Sequence, residues 1–149
     1  MKTFFTVLVM ATAAYASGFP LKKYGTFLAD QAKPVCKEGN FSYDMSTPPA
    51  SSDMTFTGGI REITGARKEF IKGFATAINR PADKDFVSEI EVQEGPTKYW
   101  LPIQTQTLNS FSPVAKTGGK VLVSVRFAGC YKENDAQVPM ALMMRMESF

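Results

Sequence analysis

The sequence predicts an α+β domain, with one main helix packed on a curled antiparallel sheet or small, partly open β-barrel of at least four strands. Three patterns lead there. Apolar residues recur at helical spacing in Thr64–Asn79, later segments alternate with strand period, and turn residues divide those segments into two hairpin-like pairs. The long apolar faces of the last two strands favour a sheet that curls on itself.

The first 16 residues stand apart from that domain. Lys2 precedes the apolar run Phe4–Met10, and small residues follow, ending in Ala14-Tyr15-Ala16. This order describes a secretory signal peptide cut before Ser17, so the expected location is secreted or periplasmic. The apolar run falls short of the roughly 20 residues that span a bilayer, and no comparable run follows, so no transmembrane segment is expected. Removing 16 residues from 149 leaves 133, enough for one domain with a core.

Within those 133 residues, 17–53 read as an N-terminal arm and loop, and 54–149 as the α+β core, the two forming a single domain. Tyr24–Ala32 has the pattern of a short helix stopped by Pro34. Asn40-Phe41-Ser42 is a glycosylation sequon, used only in a eukaryotic host. Met45–Asp53 is rich in Pro, Ser and Thr and reads as a loop, with Met54–Phe56 as a short strand closed by a Gly58-Gly59 turn.

Thr64–Asn79 is the main helix. Phe70, Phe74 and Ile78 recur at i, i+4 and i+8, flanked by Ile71 and Ala75, while Arg67, Lys68 and Lys72 lie largely off that face. Thr64 is placed to cap its start, and Asn79 and Pro81 mark its end. Gly73 costs the helix about 1 kcal/mol relative to alanine, which suggests close approach of another element.

Phe86–Gln93 alternates as a half-buried strand and pairs across the Glu94-Gly95-Pro96-Thr97 turn with Tyr99–Gln104. Pro102 cannot donate to a ladder, which places that strand at an edge or marks its bend. Thr105–Lys116 is polar and irregular, with room for a helical turn anchored by Leu108, Phe111 and Val114; Thr117-Gly118-Gly119 then turns the chain. Lys120–Tyr131 sets Val121, Val123, Val125 and Phe127 against Leu122, Ser124, Arg126, Ala128 and Cys130. After a charged hairpin loop, Val138–Glu147 sets Val138, Met140, Leu142, Met144 and Met146 against Pro139, Ala141, Met143, Arg145 and Glu147.

Composition narrows the chemistry. The chain has no histidine, which removes the commonest general base, zinc ligand and pH switch, and every nucleophile relayed by histidine. Past the signal, 16 basic and 14 acidic residues give a net charge of +2, scattered, so no nucleic-acid partner is expected. In an exported chain, Cys36 and Cys130 are expected to pair as a disulfide. No cofactor or metal site is expected. Met140, Met143, Met144 and Met146 have thioethers suited to cuprous ion, but their spacing with Val138 and Leu142 is that of a core face.

The candidate ligand-binding residues are Trp100, Arg126 and Arg145. If Tyr99 faces the core, Trp100 faces out, where it suits a sugar, a flat ligand or a partner protein. Arg126 and Arg145 fall on one face if the last two strands pair, Arg145 beside Glu147, and could hold an anion. Glu89 and Glu91 share a strand face about 6.5–7 Å apart, a glycosidase-like distance that exposed strands also show routinely. Catalytic residues are unassigned.

Three functions fit: an exported, non-catalytic binding module for a protein or small ligand; a secreted enzyme using carboxylates or lysine; and an assembly protein pairing through an exposed strand edge. A concavity around Trp100 and the arginines would mark the first. A buried, convergent set of Glu, Asp or Lys would mark the second, and a long unpaired edge at Tyr99–Gln104 the third.

Overall fold

The computed structural model describes residues 18–37, 39, 41–44, 46–79, 85–111 and 116–148. The signal segment, Asn40 of the sequon, Pro81 and Val114 lie outside the described residues.

Among the described residues, three helices and six strands make a mixed α/β domain around a closed five-stranded barrel. The order is α1 (Tyr24–Val35), β1 (Phe41–Tyr43), β2 (Ala50–Glu62), α2 (Gly65–Ala77), β3 (Ser88–Glu94), β4 (Thr97–Ile103), α3 (Thr105–Phe111), β5 (Lys120–Glu133) and β6 (Ala136–Ser148). Around the ring β2 pairs β3, β3 pairs β4, β4 meets β6, β6 pairs β5, and β5 returns to β2. All of these contacts are antiparallel except the closing one, a single parallel bridge between Ile103 and Met143. β1 adds to β5 outside the ring. The helix is therefore not single, and the sheet is not wholly antiparallel.

β2 shows how the ring closes. The sequence reading made Met45–Asp53 a loop and Gly58-Gly59 a turn. Instead β2 starts at Ala50 and runs through both glycines, which form a bulge between Phe56 and Ile60 with Gly58 at φ +96°. Ala50–Thr55 pair with β5, while Thr55–Phe56 before the bulge and Ile60–Glu62 after it pair with β3. The first part of this strand, Ala50-Ser51-Ser52-Asp53, is all small or polar and shows no alternation, which disguised it.

Two further bulges reverse the alternation read from sequence. One, between Phe127 and Gly129, makes Cys130 face the barrel interior with Phe127, while Ala128 and Tyr131 face outwards. Gly129 sits at φ +133°, a conformation that favours glycine. The other lies opposite Ser124 and Val125. Before it Met140, Leu142 and Met144 pack outside and Met143 inside; after it Met146 packs inside, so the expected single methionine face is split between two cores.

The inner core joins Ile90, Val92, Leu101, Ile103, Val121, Val123, Val125 and Phe127. α1 packs against it through Tyr24 and Phe27, and is stapled to β5 by the Cys36–Cys130 disulfide, whose Cα atoms are 5.4 Å apart. Pro34 does not stop α1 but lies in its last turn, where the lost N–H breaks one bond and Cys36 N–H still reaches the Ala32 carbonyl. The outer core lies between α2 and the barrel wall, joining Phe70, Ile71 and Phe74 to Ala128, Met140 and Leu142. Thr64 occupies the N-cap position of α2 without a side-chain cap bond, and Asn79, at φ +55°, follows its end. Gly73 admits the Tyr43 ring, which a Cβ there would overlap. Among the described residues no helix is long and apolar enough to cross a membrane.

Candidate functional site

The β4 pleat turns Tyr99 towards the inner core and Trp100 to the outer face of the barrel. Trp100 pairs with Glu91 on β3, and its indole reaches β2, where a Cβ on Gly59 would come within 3.0 Å of the ring. Gly59 therefore leaves the space the indole occupies. Two residues on, the Arg61 guanidinium lies over the same indole, 3.9 Å from the ring centroid.

Glu89 holds that guanidinium in place. Its side chain is 2 % exposed although it sits on the outer face, because two arginines cover it. Arg61 Nε donates to Glu89 Oε1 at 2.7 Å, and Arg67 Nε donates to Oε2 at 2.8 Å. Arg67, from the first turn of α2, also donates from Nη1 to the Tyr131 hydroxyl and from Nη2 to the Trp100 carbonyl, both at 3.0 Å. One guanidinium thus clips β3, β4 and β5 together, with all three kinds of nitrogen engaged. Burial opposes its charge, but Tyr131 and Glu89 outweigh that and hold Arg67 above its ordinary value. Burial likewise raises Tyr131, against the pull of Arg67.

Arg61 is placed differently. Its side chain is 49 % exposed against 17 % for Arg67, and among the described residues its hydrogen bond is made at Nε. The neighbouring Glu91 accepts from Thr57 Oγ1 at 2.7 Å and lies 3.6 Å from Lys98 Nζ. Glu89 and Glu91 are therefore not a pair on a bare solvent face. Each carboxylate is engaged, Glu89 between two fixed cations.

Arg126 and Arg145 do not join Trp100 in this cluster. Both lie on the outer side of the β5–β6 pairing, Arg126 opposite Leu142 and Arg145 opposite Ser124. Arg126 lines a narrow cavity under α2 with Phe74, Ile78, Asp85 and Met144. Arg145 pairs with Glu147 at 2.6 Å beside the open groove along α3. Sequence reasoning missed Arg61, because β2 was ended at the glycines before it. It noted Arg67 and Glu89 without connecting them, because in sequence Glu89 alternates with apolar residues in the same way as Glu91 and Gln93.

Among the described residues no three His, Cys, Asp or Glu side chains gather as a metal site. No protein-family model, curated protein or solved structure matches this chain.

Proposed function

We propose that this chain is a non-catalytic binding module of an oxidising, extracytoplasmic compartment, and that its ligand face is the outer surface of β2, β3 and β4 around Trp100 and Arg61. The observation that carries this reading is the indole held on the barrel surface between Gly59 and the Arg61 guanidinium. Ordered, amphipathic aromatic surface of this kind binds ligands at low cost in side-chain entropy.

The topology supports the choice of face. Numbered within the barrel alone, the strands run first, second, third, fifth, fourth around the ring, the third and fifth are parallel, and a helix joins the third to the fourth. This is the strand order of OB-type barrels, which bind oligosaccharides and oligonucleotides on the face of their second and third strands. The near-neutral charge favours the saccharide class over a polyanionic nucleic acid.

The rival readings have less to draw on. Glu89 is a buried carboxylate, but both of its oxygens are engaged by arginines, which suits positioning better than proton transfer. The β4 edge that an assembly protein would offer is met by β6 at one bridge and by Arg67 at the Trp100 carbonyl. The disulfide and the N-terminal signal pattern support export.

Binding of the purified chain to arrays of oligosaccharides and of oligonucleotides tests the reading, with Trp100→Ala alongside. Retention on saccharides that is lost in Trp100→Ala supports it. No retention, or retention unaffected by Trp100→Ala, overturns it. Mass spectrometry of the exported chain tests the compartment through a new N-terminus at Ser17.

A further inference from the structure

Two guanidiniums share one carboxylate at Glu89, so the cluster holds one positive charge in excess. That excess is not spread evenly. Arg67 is largely buried and uses Nε, Nη1 and Nη2 on Glu89, Tyr131 and the Trp100 carbonyl. Arg61 is half exposed, is tethered through Nε to Glu89, and rests on the indole. Lys98 and Glu91, also on this face, face each other, and Glu133 acts at the Tyr131 end of the cluster, away from Trp100. The unneutralised charge therefore emerges at the Nη edge of Arg61.

From this geometry we infer that the face binds an oxyanion, a carboxylate or a phosphate monoester on the ligand, through the two Nη groups of Arg61 and beside the Trp100 ring. The inference rests on the binding face proposed above and names the chemical group that face selects. A guanidinium edge presents two parallel N–H donors at the spacing of two oxyanion oxygens. Glu89 and Trp100 fix the plane of that edge before any ligand arrives, so little side-chain freedom is lost on binding. A neutral sugar would gain the indole but leave the charge unanswered.

Trp100 is the only tryptophan in the chain, so its fluorescence reads this site directly. The full chain is titrated with trigalacturonate, with its methyl ester as the neutral counterpart of equal size, and with galactose 6-phosphate. Saturable fluorescence change is expected with the acid or the phosphate, and the methyl ester should bind at least about tenfold more weakly than the acid. Arg61→Gln should lose a similar factor, Arg61→Lys should recover part of it, and added salt should weaken the anionic ligands alone. Far-UV circular dichroism checks that both variants fold. A response to the phosphate alone, lost in Arg61→Gln, assigns the oxyanion to a phosphate; a response to the acid alone assigns it to a carboxylate. Equal binding of acid and ester, or anion binding unchanged in Arg61→Gln, overturns the inference while leaving the binding face intact. Absence of response to all three ligands overturns it as well, and the array experiment then decides the broader reading separately.

Discussion

The carboxylate of Glu94 caps a helix that begins 70 residues earlier: the backbone N–H of Tyr24 donates to its Oε2 at 2.6 Å. The Gly25 N–H donates to Oε1 at 3.0 Å. α1 has no side-chain cap of its own and no acidic residue in its first turn, so the β3–β4 turn supplies both the acceptor and the negative charge. Glu94→Ala is expected to lower stability by about 1–2 kcal/mol and to raise amide hydrogen exchange in the first turn of α1. Unchanged exchange at Tyr24 and Gly25 would contradict the cap.

Glu89→Gln should be far more damaging than its surface position suggests. It leaves the largely buried Arg67 without its counter-ion, for which a loss of about 3 kcal/mol is expected. Urea denaturation measures it. The same variant frees Arg61 from its tether, so Trp100 fluorescence in the folded state should shift too.

Gly129→Ala tests the bulge that turns Cys130 inwards. The glycine sits at φ +133°, and an added Cβ would collide with the Ser42 carbonyl on β1. Backbone strain and overlap together predict a loss of about 3 kcal/mol, seen as a lower thermal midpoint. A variant as stable as the parent would show that the bulge does not demand glycine.

Alkaline pH should destabilise the fold. Burial raises the hydroxyls of both Tyr24 and Tyr131 above the ordinary value of 10.0, with Arg67 opposing in each case. Below that value the folded and unfolded states bind the same protons and the contribution is fully present. As pH rises past it the unfolded state ionises first, binds fewer protons, and stability falls towards and through the folded values. Urea midpoints taken across the alkaline range should decline, and Tyr24→Phe should decline less steeply.

Where side chains alternate simply, the fold was legible. The helix around Phe70 and Phe74, the β3–β4 hairpin, the turn at Gly118-Gly119 and the inward row from Val121 to Phe127 all follow from spacing. Three bulges were not, because a bulge leaves no periodic mark: it breaks the count at Gly58-Gly59, at Gly129 and near Met144, and everything beyond changes face. For the same reason Trp100 could be placed on the outer surface, whereas its partner Arg61, on the far side of a bulge, could not. The Arg67–Glu89–Tyr131 contacts join α2, β3 and β5, and such long-range convergence has no local sequence pattern.

β5 pairs with β1, β2 and β6, and so touches strands made before and after it. A chain that emerges N-terminus first must therefore hold β1 and the first half of β2 without their partner until Lys120 and the residues after it appear. The β3–β4 hairpin can zip early, but the ring cannot, and neither can the covalent link from Cys36, which waits for Cys130. The order of synthesis thus keeps the ring open until β5 and β6 have both emerged.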